Sequence, residues 1–239
     1  MGFWGSVKML IKPILFNSEM AKAIMEGRKT ATRRTALKSD ELREFKSSEH
    51  PEGWWFRGRV FRTWDNAMRS ILGVMSMCRF RTGDILWVRE AWSEMPYGFV
   101  YRADGEEPDG WDSDDRWSPS IHMPRKAARL FLRVTSVRVE PLQDITEEGA
   151  LAEGVPDEWP MDPVYCPYCK GEGLAGAIHP VSLGYMEIDC PRCAKARDRF
   201  ANLWDSTIKP KDRATYGWTS NPWVWVIEFE RCDRPEGFV

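Results

Sequence analysis

The alternation of apolar and polar positions divides the chain into short, distinct elements. "LIKPILF" (10–16) reads as a short strand. Residues 18–27 read as a helix: Ser18 suits the N-cap, Met20, Ile24 and Met25 share a face, and Gly27 ends it. "RTGDILWVREAWSE" (81–94) opens on a Gly-Asp turn and enters a strand, with Ile85 and Trp87 on one face and Leu86, Val88 and Glu90 on the other. "GFVYRAD" (98–104) predicts the next strand, and "ARLFLRVTSVRVEPL" (128–142) alternates throughout and predicts a long one. "ITEEGALAEGV" (145–155) predicts a helix capped by Thr146 and closed at Gly154. A further helix spans 196–208, with Phe200, Leu203 and Trp204 toward the core, and a closing strand spans 221–232. Residues 36–58 read as a long loop or insertion, and the acidic, turn-rich stretch 105–118 as a surface loop. There is no internal repeat. This order defines an α+β class, and a small closed β-barrel flanked by helices fits it best.

Composition narrows the picture. A chain of 239 residues with 43% hydrophobic content suits one large domain, or one domain with a substantial insertion. With 29% charged residues and a formal net charge of −2, it reads as an ordinary globular protein and not as a non-specific nucleic-acid coat, although a local basic cleft remains open. The 13 tryptophans are the outlier; most belong in a core, and some could stack planar rings. No apolar run is long enough for a membrane span, and the N-terminal residues lack a signal-peptide pattern, so the expected location is cytoplasmic.

Cysteine spacing carries the clearest chemistry. "CPYCKGEG" and "DCPRC" place Cys166, Cys169, Cys190 and Cys193 as two C-x-x-C pairs. Two such knuckles can present four thiolates at tetrahedral geometry, which suits Zn2+ in a closed, structural site. Two unligated or redox pairs are the alternative. His179, between the pairs, reads as a loop residue, and the lone Cys78 and Cys232 read as buried thiols.

The segment "EGRKTATRRT" (26–35) poses the functional question. After Gly27 the chain is expected to extend, so Lys29, Ala31 and Arg33 point one way and Thr30, Thr32 and Arg34 the other. A buried lysine beside a threonine hydroxyl can act as its base, and arginines nearby suit phosphate or a polarised carbonyl. The plain alternative is that cations after a helix C-terminus complement its dipole.

At this point the chain resembles the ASCH domain family. "EGRKTATRR" is similar to its G-x-K-x-x-T-x-R signature through Gly27, Lys29, Thr32 and Arg34, and "TGDILWVRE", "ITEEGALAEG" and "NPWVWVIEFE" follow in that family's order. "WSPSIHMPRKAARLFLRVTSVRVEPLQDI" resembles the middle section of a bacteriophage and prophage group of ASCH-like proteins. The resemblance implies a PUA-like barrel over 8–155 and 196–232; it does not cover 36–76, a loop or insertion, or 156–195, which the cysteine spacing makes an inserted zinc ribbon. Related folds bind RNA or modified bases, and small bacterial N4-acetylcytidine amidohydrolases belong to the family. By that resemblance Lys29, Thr32 and Glu153 are the candidate catalytic residues. Lys29 would take the Thr32 proton, Thr32 would attack the acyl carbonyl of an N-acylated base, and Arg34 or a backbone N–H would steady the oxyanion. Glu153 would protonate the leaving amine and then activate water. The ligand would be a nucleoside or a nucleic acid, RNA or modified DNA. A non-catalytic reader, or a phage protein docking on a host protein through the zinc segment, are the other readings.

Further candidates for the substrate site are Glu90 at a strand end, Tyr101 as a stacking ring, His122 as an acid or base, and Arg125 as a phosphate contact. Each has a bland counterpart: a surface pair, a packed ring, a structural histidine and a solvated cation.

Overall fold

The structure, a computed structural model, describes residues 10–37, 42–45, 53–56, 59–61, 78–112, 115–156, 168–170, 172–178, 181–190 and 192–238. The strands, in chain order, are β1 (Ile11–Leu15), β2 (Ala31–Leu37), β3 (Leu42–Phe45), β4 (Gly53–Phe56), β5 (Arg59–Phe61), β6 (Ile85–Arg89), β7 (Trp92–Met95), β8 (Gly98–Tyr101), β9 (Phe131–Pro141), β10 (Leu174–Ile178), β11 (Tyr185–Asp189) and β12 (Trp223–Cys232). The helices are α1 (Ser18–Met25), α2 (Glu147–Ala152), α3 (Ala196–Thr207) and the single turn α4 (Arg213–Tyr216). The chain divides into two compact units, one of Met1–Thr30, Phe80–Val137 and Ile227–Val239, the other of Ala31–Arg79 and Arg138–Val226.

In the first unit β1 runs parallel to β6, with Ile11 opposite Ile85 and Leu15 opposite Arg89. β6 is antiparallel to β9, with Ile85 opposite Arg133 and Trp87 opposite Phe131. Ile85 to Val88 are all buried, so β6 is covered on both faces, and its apolar run is the sequence form of that burial. Its core gathers Ile85, Trp87, Met123, Ala127, Ala128 and Phe131 around Phe238 from the C-terminal segment. The Phe238 ring stands edge-on to Phe131 at 4.9 Å and tilted to Trp87 at 5.9 Å. α1 buries Met20, Ala21, Ala23 and Ile24. Its cap is Asn17, whose Oδ1 accepts from Met20 N–H at 2.8 Å, one residue before the Ser18 expected from sequence. Gly27 takes φ +78, the left-handed turn that ends the helix and lets Lys29 N–H donate back to Ala23 O at 3.0 Å.

In the second unit β9 ends where Leu142 N–H donates to Pro222 O at 2.9 Å, beside the start of β12. β3, β4 and β5 form a three-stranded antiparallel sheet, and β10 pairs with β11. α3 turns Ala196, Arg199, Phe200, Leu203 and Trp204 inward. Trp204 Nε1 donates to Tyr216 O at 2.8 Å, and Asp205 Oδ1 accepts from Trp218 N–H at 2.7 Å, which pins the turns after α3.

The α+β class and the placing of β1, α1, β6, β8, β9, α2, α3 and β12 agree with the sequence pattern. Two expectations are corrected. Among the described residues the strands form open sheets, not a closed barrel. The stretch 36–58, expected as a long loop or insertion, is not plain loop: it contains the end of β2 together with β3 and β4, whose charged residues, as in "LREF", break the alternation that marks a strand. Among the described residues no helix is long and apolar enough to cross a membrane.

Asp84 anchors the turn into β6. Its carboxylate accepts from Lys12 Nζ at 2.6 Å, Arg81 N–H at 2.8 Å and Leu10 N–H at 3.3 Å. Asp84→Ala strips these acceptors at a buried position of the turn and is expected to lower stability by about 2–3 kcal/mol, read by denaturant unfolding; a loss within error of zero would show that the turn does not depend on this carboxylate.

Candidate functional site

The second unit brings β2 and the end of α2 together. β2 is extended, with Ala31, Thr32 and Arg33 buried and Arg34 exposed. Arg33 is the hub. Its Nη1 donates to Glu153 Oε1 at 3.2 Å and to Gly149 O at 3.4 Å. Its Nη2 and Nε donate to Glu140 Oε1 at 2.9 and 3.3 Å. Arg138 Nε donates to the other Glu140 oxygen at 3.1 Å. The Arg33 side chain is 2% exposed, and its guanidinium carbon lies 5.9 Å from the Phe200 ring centroid. A cation so enclosed requires close anionic partners, because its desolvation otherwise costs several kcal/mol.

Local sequence explains how Glu153 arrives there. Thr146 Oγ1 accepts from Gly149 N–H at 3.0 Å and starts α2. Glu153 caps its C-terminus, and Gly154 at φ +87 turns the chain away. Gly149 leaves room for the cation: a Cβ there would stand 3.2 Å from Arg33 Nη2 and 3.2 Å from Ile145 Cγ1.

Arg34, the arginine expected in the site, keeps solvent-exposed surface. Protein nevertheless crowds its guanidinium, and burial lowers its pKa while Glu153 raises it. Thr32 is 4% exposed. Lys29 belongs to the first unit, is 3% exposed, and sets its Nζ 5.5 Å from the Phe16 ring centroid.

The remaining candidates lie in the first unit. Glu90 is fully buried, and its carboxylate accepts two hydrogen bonds from Arg129 Nε and Nη2, both at 3.0 Å. Arg129 Nη1 also reaches Asp104 at 2.7 Å. Burial pushes the Glu90 carboxyl above its ordinary value, and the Arg129 hydrogen bond and charge pull it partway back. Tyr101 donates its hydroxyl to Ala127 O at 2.6 Å, and the Arg129 guanidinium covers one ring face at 3.8 Å. Glu90 and Tyr101 therefore share one knot. His122 is exposed in a short 3-10 turn, Ser120–His122. Arg125 is exposed and lies over the Phe238 ring at 4.4 Å. Neither joins the knot through a described hydrogen bond.

Three of the four predicted metal ligands converge in the second unit. Cys169, Cys190 and Cys193 are buried, with sulfurs all within 4.8 Å of one another and Cys169 Sγ 3.5 Å from Cys193 Sγ. Cys166 and His179 lie outside the described residues. The antiparallel β10–β11 pair carries the chain between the knuckles. Glu172 N–H donates to Cys169 O at 3.0 Å, Cys190 N–H to Gly173 O at 2.7 Å, and Cys193 and Ala194 N–H to Cys190 O at 3.2 and 3.0 Å. A buried thiol triad on tight turns can bind a thiophilic metal ion. Of the lone cysteines, Cys78 is buried as expected, and Cys232 is only half-buried.

Arg33 and Glu140 have no role in the sequence reading. Arg33 shares a strand face with Ala31 and Glu140 closes the alternation of β9, positions that read as solvated charges until each is set against the other. Set against known proteins, the chain matches no family model, no curated protein and no solved structure.

Two measurements follow from this geometry. The folded-state pKa of Glu90 lies above its ordinary 4.5, so on raising the pH the unfolded chain releases this proton first. Wild-type stability relative to Glu90→Gln should therefore fall as pH rises from 4.5 to the raised value, and stay level on either side; a difference independent of pH throughout would contradict the burial effect. Titration with Zn2+ or Co2+ should load a single metal per chain, and Cys190→Ser or Cys193→Ser should weaken binding by roughly 100-fold or more. Cys166→Ser should do the same if it supplies the fourth thiolate, and unchanged affinity would leave a three-thiolate site.

Proposed function

We propose that the protein is an ASCH-like binder of a nucleoside, or of a base within a nucleic acid, and that exposed Arg34, with buried Thr32, Arg33 and Glu153 behind it, forms its recognition site. The observation that carries this reading is the 3.2 Å contact between Arg33 and Glu153. It joins the two segments that the ASCH resemblance singles out, although they stand 120 positions apart. A carboxylate held in place by a buried guanidinium is a fixed acceptor for an exocyclic amine such as cytosine N4 or adenine N6. Arg34 adds a cation suited to a phosphate or a base carbonyl. In the same reading the cysteine segment is a zinc ribbon whose role is structural.

The metal hairpin favours a small ligand over a long strand laid across it. The β10–β11 register places Leu174 opposite Asp189, Gly176 opposite Glu187, and Ile178 opposite Tyr185, so two carboxylates share the tyrosine's face. Phosphates would be repelled there.

Hydrolysis of an N-acylated base is the second reading. Its support is the burial of both Lys29 and Thr32, the residues that the resemblance makes base and nucleophile. In this chemistry Lys29 passes the Thr32 proton to the leaving amine, and Glu153, which accepts from Arg33, takes a proton from the water that releases the acyl group.

Incubation with a panel of nucleosides and short RNA and DNA, read by mass spectrometry and by retention, tests both readings. Retention of a cytidine or adenosine derivative that weakens roughly tenfold in Glu153→Gln or Arg34→Ala is the expected result. Loss of an acetyl mass from acetylcytidine, slowed about 100-fold or more in Lys29→Ala and Thr32→Ala, would add catalysis. If the wild-type protein neither retains nor alters any member of the panel, the reading is wrong.

A further inference from the structure

The thiol cluster and the Arg33–Glu153 pair are linked by an unbroken set of contacts inside the second unit. The helix α3 begins at Ala196, three positions after Cys193. Arg199, buried on its first turn, donates Nη1 to Cys193 O at 3.1 Å and to Ala194 O at 3.3 Å. The second knuckle is thereby bound to the helix at its carbonyls and is not merely followed by it.

The start of α3 is also tied to α2. Lys195 stands at the N-cap and provides no side-chain cap. The cap comes from Glu147, on the first turn of α2: its Oε2 accepts from Ala196 N–H at 2.7 Å and Arg197 N–H at 3.4 Å. A carboxylate there satisfies orphan amides and complements the helix dipole. Arg197 Nη2 donates to Gln143 O at 2.7 Å, just ahead of α2, and its guanidinium lies 5.3 Å from the Trp218 ring centroid. One turn further on, Phe200 faces the Arg33 guanidinium. Gly149 and Glu153, which Arg33 grips, belong to the same short α2 segment that Glu147 opens.

We infer that the metal centre positions the Arg33–Glu153 pair. A metal ion on the thiols fixes the turn at Cys190–Cys193 and so the first turn of α3. Glu147 and Phe200 then carry that constraint to α2 and to Arg33. The metal touches no ligand of the recognition surface; it sets how well the carboxylate of Glu153 is held. This inference rests on the proposed function only in calling that surface a recognition site, since the linkage is made of protein contacts alone. Linkage is reciprocal, so disturbing α2 should weaken the metal as losing the metal loosens α2.

The test is amide hydrogen exchange on the full chain, zinc-loaded and after chelation, with Zn2+ affinity measured in parallel. Chelation should speed exchange in 147–153 and 196–203 by about tenfold or more, a usual scale for intramolecular coupling, while α1 in the first unit stays unchanged. Glu147→Gln should lower Zn2+ affinity by roughly fivefold or more with all cysteines intact, whereas Glu172→Gln, beside the first knuckle, should leave 147–153 protected. Faster exchange confined to 168–193, or equal loss of protection throughout the second unit including 223–226, would overturn the inference. The exchange readout contains no nucleoside. A protein that couples metal to 147–153 but binds no nucleoside refutes the functional reading alone.

Discussion

A guanidinium buried between two carboxylates is the constraint around which the second unit is arranged. Arg33 is almost wholly withdrawn from water, and removing either partner would leave charge uncompensated in a poorly solvated place, at a cost of about 3–5 kcal/mol. Each feature around it serves that need. β9 must end with Glu140 turned toward β2. α2 must be short, so that Glu153 falls at its C-terminus within reach of Nη1. Position 149 leaves no slack for a side chain that would crowd Nη2. Phe200 covers the cation from α3, which makes that helix's placing part of the same problem.

This explains why the chain spends a long-range cap on α3. Ser, Thr, Asp or Asn at position 195 would start the helix locally. The sequence has lysine there and lets Glu147 do the work from α2. A local cap would stabilise α3 alone. A cap from α2 stabilises the relation of the two helices, which is what the Arg33 site needs. The Arg199 bonds to the knuckle carbonyls extend the same logic to the thiol cluster.

Much of the fold was legible because period and punctuation agreed. Asn17 and Ser18 stand side by side, and only backbone geometry decides which of them caps α1. Thr146 and Gly154 bracket α2 as their chemistry dictates. β3 and β4 were missed because their residues carry charge among aromatics without a clean alternation. In the site, Cys169, Cys190 and Cys193 were legible from spacing alone, since cysteine pairs three positions apart have few other uses in such a chain. Glu153 was found through resemblance, and Arg33 was not found at all. A charged residue on a strand face shared with alanine reads as solvated until its partners are known, and those partners lie 107 and 120 positions away.

The two buried ion clusters also differ in a way that bears on which can meet a ligand. In the first unit Glu90 is closed off: Arg129 satisfies both of its oxygens, Asp104 takes the rest of that guanidinium, and Tyr101 is used up by Arg129 on one face and Ala127 at its hydroxyl. Such a knot is complete without a ligand and locks the β6 end to the Arg129 segment. In the second unit the Arg33 cluster adjoins, along the same strand, an arginine that keeps exposed surface while sensing the charge of Glu153. A closed knot holds a fold together. Glu153 is buried as well, at 5% exposed, but Arg34 beside it keeps a cation at the surface, which is why the proposal places recognition at Arg34, with Glu153 behind it, and not at Glu90 and Tyr101.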